Sequence, residues 1–202
     1  MRALVLLAVL TAWGCAPYAP PQAVKSLLEM RHENVVVQQW DLSCGAAALA
    51  TLLNFQHGDP VSEREIATSM LRKTDPVKVK VRGGFSLLDL KRFVETRGLV
   101  GSGYVNMNLE QLTALGPSIV PVNLGDYNHF VVFRGLVGNK VLLADPAFGN
   151  RSVGVDDFMK GWLQNIGFAV TRQNDNPPPN RLSVLEADRV FPSDFVTSQA
   201  IR

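Results

Sequence analysis

Residues 118–146 read SIVPVNLGDYNHFVVFRGLVGNKVLLADP. Three apolar runs stand out: Ser118 to Leu124, His129 to Val137 and Lys140 to Pro146. Each is short and rich in Val, Ile, Leu and Phe, which is the texture of strands. Gly138-Asn139 between the second and third runs is a turn, so those two pair as an antiparallel hairpin. His129 opens its strand directly after a polar turn, Gly125-Asp126-Tyr127-Asn128, where an imidazole can face a cleft. Asp145-Pro146 ends the partner strand, and a carboxylate there can accept one ring N–H of His129 and fix its tautomer.

Upstream of this hairpin the chain reads as helices. CGAAALATLLNF, Cys44 to Phe55, is a strong helix former that His57-Gly58-Asp59-Pro60 stops. Ser62 with Glu65 is a capping box for a second helix to Leu71, and Ser86 with Asp89 caps a third that runs to Arg97 and closes at Gly98. Between them, residues 72–84 carry Arg72, Lys73, Lys78, Lys80 and Arg82 and end in Gly83-Gly84; they read as a solvated loop or edge strand, with the glycines as a turn. Val35-Val36-Val37 is a strand or an extended lead-in, and Asn108 to Leu115 is a short helix. Asp156-Asp157-Phe158 opens another helix to Trp162, and Phe168 to Thr171 is one more strand. Helices first and antiparallel strands afterwards give an α+β fold.

The chain has 202 residues, 47% hydrophobic and 19% charged, which suits one domain, placed at residues 34–173. A formal charge of +2 argues against nucleic acid as a partner. No apolar run reaches the roughly 18–20 residues of a membrane span. Two cysteines exclude a disulfide-dense scaffold and an all-cysteine zinc site, and the three histidines form no HExxH pair, so neither metal nor organic cofactor is implied. Arg2, the apolar stretch Ala3 to Ala12 and Gly14 describe a secretory signal over residues 1–14. Cys15 directly after it resembles a bacterial lipoprotein cleavage site, which would make Cys15 a lipidated first residue and the only link to a membrane. Residues 15–33 then read as a tether, and 174–202 as a proline-rich linker and loosely held tail.

If Cys15 is lipidated, Cys44 is a lone thiol in an oxidising compartment; if not, a Cys15–Cys44 disulfide is the plain alternative. Cys44 sits in the first turn of its helix, where the helix N-terminus favours a thiolate and lowers the thiol's pKa. A buried structural cysteine fits that position equally well. With His129 and Asp145 the set becomes a thiol, a base and an orienting carboxylate.

The order Gln38, Cys44-Gly45, His129-Phe130-Val131-Val132 and Asp145-Pro146 resembles the C39 peptidases, which are papain-like cysteine proteases. The similarity covers roughly residues 34–165. It implies a papain-like fold, N-terminal helices packed on an antiparallel sheet, with Cys44 as nucleophile, His129 as base and acid, and Asp145 as its orienter. Gln38 would supply the oxyanion-hole amide, with Gln39 as the alternative donor. The implied activity is hydrolysis of peptide bonds after Gly-Gly, in secreted or envelope proteins such as amyloid-type or leader-bearing substrates, within the periplasm or cell envelope. A non-catalytic binding or assembly module for a secretion system is the competing reading, and acyl transfer to an amine would use the same residues. Ser43 before the cysteine and Ala46 after Cys44-Gly45 depart from the family's usual acidic residue and proline. His57 reads as an exposed helix-end residue, His32 as part of an unstructured tether, and Trp40 and Trp162 as packing residues.

Overall fold

The computed structural model describes residues 25–124, 127–172 and 180–184. The signal, Cys15, Gly125-Asp126 and most of the 174–202 stretch lie outside the described residues. In chain order the elements are α1 (Leu27–His32), α2 (Cys44–Thr51) running into a π-helical turn (Leu52–Gln56), α3 (Glu63–Leu71), α4 (Pro76–Arg82), α5 (Leu87–Glu95), β1 (Leu99–Tyr104), α6 (Leu109–Leu115), β2 (Ser118–Val122), β3 (His129–Val137), β4 (Lys140–Asp145), β5 (Gly149–Gly154), α7 (Val155–Gly161) and β6 (Gly167–Arg172).

Among the described residues the strands form one antiparallel sheet in the order β1-β6-β2-β3-β4-β5. Apolar side chains cover both of its faces. Val132, Ala144, Ile119 and Phe168 pack with α2, α3 and α5, while Val131, Phe133, Val141 and Leu143 pack with Phe158 and Trp162 on and beside α7. That two-sided burial explains why β3 and β4 read as nearly continuous apolar runs rather than alternating ones. Every residue of α2 is buried. Its alanines let the helix lie close on β3, and apolar groups all round are what such a position demands.

The stretch at 72–84 is not a loop or an edge strand. Asp75 accepts the Val77 N–H, Pro76 occupies the first turn, and Gly83 closes the helix in the left-handed region at φ 76°. The basic residues suggested a solvated loop or edge strand, but this start and stop chemistry prevails. Residues 35–37 lie outside helix and strand and join no ladder; Val36 N–H donates to Thr51 Oγ1 at 2.9 Å. Two glycine-rich strands, β1 (LVGSGY) and β5 (GNRSVG), carry little strand signal. At Gly101 a Cβ would lie 2.8 Å from the Phe168 ring and 3.2 Å from Lys91 Cα, so glycine there is the condition for packing α5 against the sheet.

Both flanks that read as loose are partly built into the domain. Residues 27–32 of the tether form α1, and Asn150 Nδ2 donates to Met30 O at 3.2 Å and Glu33 O at 2.6 Å. At the other end, Asn180 N–H and Arg181 N–H donate to Gln56 O and Phe55 O at 3.1 and 2.7 Å, carbonyls left open where the helix ends. Leu182 is fully buried in the core. Arg134, at the irregularity between Phe133 and Gly135 in the β3–β4 ladder, joins the two flanks: Nε donates to Leu182 O at 3.1 Å and Nη1 to Asn150 Oδ1 at 3.2 Å.

Candidate active site

Cys44 is the first residue of α2 and only 7% exposed. Ser43 precedes it but does not cap the helix, because its hydroxyl turns to Trp40 O and the Glu63 carboxylate. The thiol lies against the backbone N–H groups of Phe130, Gly45 and Cys44, all of which favour the thiolate. Burial is nevertheless the largest influence. It pushes the Cys44 thiol up, and the charge of Asp145 adds to the rise. The lowering expected from the helix start is thus outweighed by the desolvation that burial imposes, and Cys44 needs a base to ionise. Gly45 belongs to the same contact: a Cβ there would stand 3.3 Å from Phe130 Cδ2.

His129 opens β3 and is buried. Its Nε2 lies 3.1 Å from Asp145 Oδ2, at the end of β4. Asp145 has no exposed surface and accepts two further bonds, from Ala147 N–H to Oδ1 at 2.8 Å and from Arg151 Nη1 to Oδ2 at 3.3 Å. A carboxylate at Nε2 keeps the proton on that nitrogen and leaves the lone pair on Nδ1. Nδ1 is buried and makes no hydrogen bond among the described residues. Tyr127 covers the imidazole, ring centroids 4.9 Å apart at 32°. Burial first, then the charges of Asp145 and Cys44, push its phenol up, which keeps it protonated beside the site.

Gln38 is brought to this end of the sheet by its backbone: its N–H donates to Pro146 O at 2.8 Å, next to Asp145. One N–H of its side-chain amide donates to Trp40 O at 3.1 Å. Gln39 points elsewhere, with an exposed side chain and an N–H on both oxygens of Glu63 at 3.1 Å. Glu63, buried at the start of α3, therefore ties together the loop from Gln38 to Cys44. Nothing in the local sequence marks it, since its partners are a backbone N–H and a serine more than twenty positions away or close to it. Its placement at a helix N-terminus is favourable for a carboxylate.

Other expectations fare differently. His57 is not exposed but 2% accessible, and burial, followed by the charge of Arg172, holds its imidazole below the ordinary value. His32 ends α1. Trp40 is 40% exposed with the Arg64 guanidinium 5.2 Å over its ring, whereas Trp162 packs on Phe158 at 5.5 Å as a core residue. Among the described residues no group of three or more His, Cys, Asp or Glu is placed to hold a metal, and no helix is long and apolar enough to cross a membrane.

Residues 32–174 match the Peptidase C39 family. The chain belongs to that family. It is 41% identical over 168 residues, 79% of this chain and 73% of the relative, to "Probable functional amyloid protease FapD" of Pseudomonas aeruginosa. A protein of the same name from Pseudomonas fluorescens is 40% identical over 73% of this chain and 64% of its own length. Among solved structures, a double-glycine-motif protease from an AMS/PCAT transporter, in complex with the leader peptide, superposes with a TM-score of 0.50 at 27% identity, covering 69% of this chain and 91% of that one. The peptidase domain of Streptococcus ComA, with a TM-score of 0.58 at 22% identity over 70% of this chain and all of that one, shares the fold. The chain is a cysteine peptidase with the papain-like C39 architecture, and such peptidases act on protein or peptide substrates.

Proposed function

We propose that this C39 peptidase cleaves secreted or envelope proteins after Gly-Gly, using Cys44, His129, Asp145 and Gln38. The observation that carries the reading is the single bond from Nε2 of His129 to buried Asp145, which leaves the Nδ1 lone pair free, while the thiol that burial keeps protonated lies at the N–H of Phe130, the next residue along β3. Nδ1 takes the Cys44 proton, and the thiolate attacks the scissile carbonyl carbon. The Cys44 backbone N–H and the Gln38 amide receive the oxyanion. As the C–N bond breaks, His129 returns the proton to the leaving amine. A water, deprotonated by the same nitrogen, then hydrolyses the thioester and frees the thiol.

The Gly-Gly preference draws on the double-glycine-motif relative, and the class of substrate on the amyloid-protease relatives. An apolar cleft of about 470 Å³, lined by Trp40, Leu42, Leu71, Val79 and Phe85 beside the loop that leads to Cys44, would take apolar residues upstream of the cut. Export by the 1–14 signal, with or without lipid on Cys15, would bring enzyme and substrate into one compartment. The test is incubation of the chain from Cys15 onward with a peptide carrying Gly-Gly before the cut. Cleavage should vanish in Cys44→Ala and in substrates with Val at either glycine. Equal cleavage of the Val substrates would remove the Gly-Gly preference, and cleavage by Cys44→Ala would remove the nucleophile.

A further inference from the structure

The β4–β5 hairpin carries a charge that the steps above do not use. In its register Asp145 faces Gly149 and Leu143 faces Arg151, which makes Asp145 and Arg151 diagonal neighbours on one face. Arg151 Nη1 lies 3.3 Å from Asp145 Oδ2, the same oxygen that meets His129 Nε2 at 3.1 Å. The Arg151 side chain is 12% exposed and stacks 5.5 Å over the Phe148 ring. One buried oxygen is thereby shared between an imidazole and a guanidinium, and the guanidinium keeps its charge at any working pH.

A base that must take a proton from a thiol and then return it to an amine works best when it holds that proton neither too weakly nor too tightly. A buried, unshared carboxylate would bind an imidazolium tightly. We propose that Arg151 is a positioning residue that acts through Asp145: by sharing Oδ2 with the imidazole it offsets part of the carboxylate's charge, so that His129 passes its proton on. The inference rests on the reading of His129 as the general base. Among the described residues, the charged and titratable groups around His129 are Asp145 from β4 at Nε2, Arg151 behind it from β5, Tyr127 over the ring, and Cys44 from α2 at the N–H of neighbouring Phe130. Arg151 is the cation among them. Its reach across the site shows at Tyr127, where its charge opposes the upward push of burial, Asp145 and Cys44.

The test is an NMR titration of the His129 ring in the Cys44→Ala chain, where no thiol titration is coupled to it. Arg151→Gln should move the midpoint up by about one pH unit or more, the effect of losing a unit charge two hydrogen bonds away at an effective dielectric of about 20. Arg151→Lys should hold it near the parent value, and Arg151→Met replaces the Gln variant if that one does not fold. In the intact enzyme, both limbs of the kcat/KM profile should move to higher pH with Arg151→Gln and stay with Arg151→Lys. An unmoved midpoint with equal loss of melting temperature in both variants would make Arg151 a packing residue and overturn the proposal. An equal shift in the Lys variant would also overturn it. Because the titration needs no turnover, an inactive parent whose midpoint still moves would count against the peptidase steps and not against Arg151.

Discussion

Replacing Asp145 by Asn changes one oxygen to NH2 and removes one charge while keeping the shape, and the surrounding bonds decide which oxygen is lost. Oδ1 accepts from one neutral donor, Ala147 N–H at 2.8 Å; Oδ2 accepts from His129 Nε2 at 3.1 Å and Arg151 Nη1 at 3.3 Å. An NH2 at the Oδ2 position would meet two donors, one of them charged, and would force the imidazole proton onto Nδ1, where it blocks the base. An NH2 at the Oδ1 position meets only the neutral Ala147 N–H and leaves that N–H and the new amide N–H groups without an acceptor, at about 1–3 kcal/mol of stability for each buried group. The second arrangement is the cheaper, and it keeps a carbonyl oxygen facing Nε2–H. What is lost is the charge opposite the imidazolium. Two unit charges about 4 Å apart at an effective dielectric of about 20 are worth ~4 kcal/mol, of which the guanidinium already offsets a share. A remaining loss of ~2–3 kcal/mol corresponds to a fall of roughly 10² in kcat/KM. Steady-state cleavage of a Gly-Gly peptide and urea melts measure both quantities. Full activity in Asp145→Asn would refute the charge argument, and a fall of 10⁴ or more with unchanged stability would refute the choice of amide orientation.

Gln38→Ala should lower kcat by roughly 10²–10³ with KM little changed, because an oxyanion donor acts only as charge develops; Gln39→Ala, whose parent side chain is exposed, should leave kcat in place, and the reverse pattern would exchange their roles. Leu182→Ala should cost about 2–5 kcal/mol in a urea melt, since Leu182 is fully buried, whereas a loss below about 0.5 kcal/mol would mean that the 180–184 segment is not part of the cooperative unit. For His57 the folded state disfavours the charged imidazole, so the unfolded chain binds the proton first as pH falls. Stability present above the ordinary imidazole value of about 6.5 should decline below it, and His57→Gln should flatten that decline; identical slopes in urea melts from about pH 7.5 to about 5.5 would contradict it.

Sequence reasoning reached the parts of this protein whose causes are local. Ser86 with Asp89 forms a capping box, Asn108 begins α6, and Gly138-Asn139 closes the β3–β4 hairpin. The hairpin also delivered the pairing of His129 with Asp145, because both stand at strand ends on adjacent strands. What it did not reach depends on distant partners. β1 and β5 hide behind glycines that are there for close approach, and their partners lie elsewhere in the chain. The helix start at Cys44 was readable, but the burial that reverses its effect on the thiol comes from the folded domain around α2, including a strand more than eighty positions on. Glu63 is one of eighteen acidic residues, and only the folded loop from Gln38 to Ser43 distinguishes it.

The tie that Arg134 makes between the two flanks sets a timetable. β1 has β6 as its ladder partner, so residues 99–104 wait for residues 167–172. The Arg134 guanidinium, set between Asn150 and Leu182, waits for the strap that follows β6. Contacts this far apart in sequence are slow to close and form last. A chain that emerges from its N-terminus therefore exposes Cys44 early, while the sheet that seats His129 and Asp145 stays incomplete until residues 167–184 have cleared the ribosome. A peptidase assembled in that order has no finished site while its own chain is still threading.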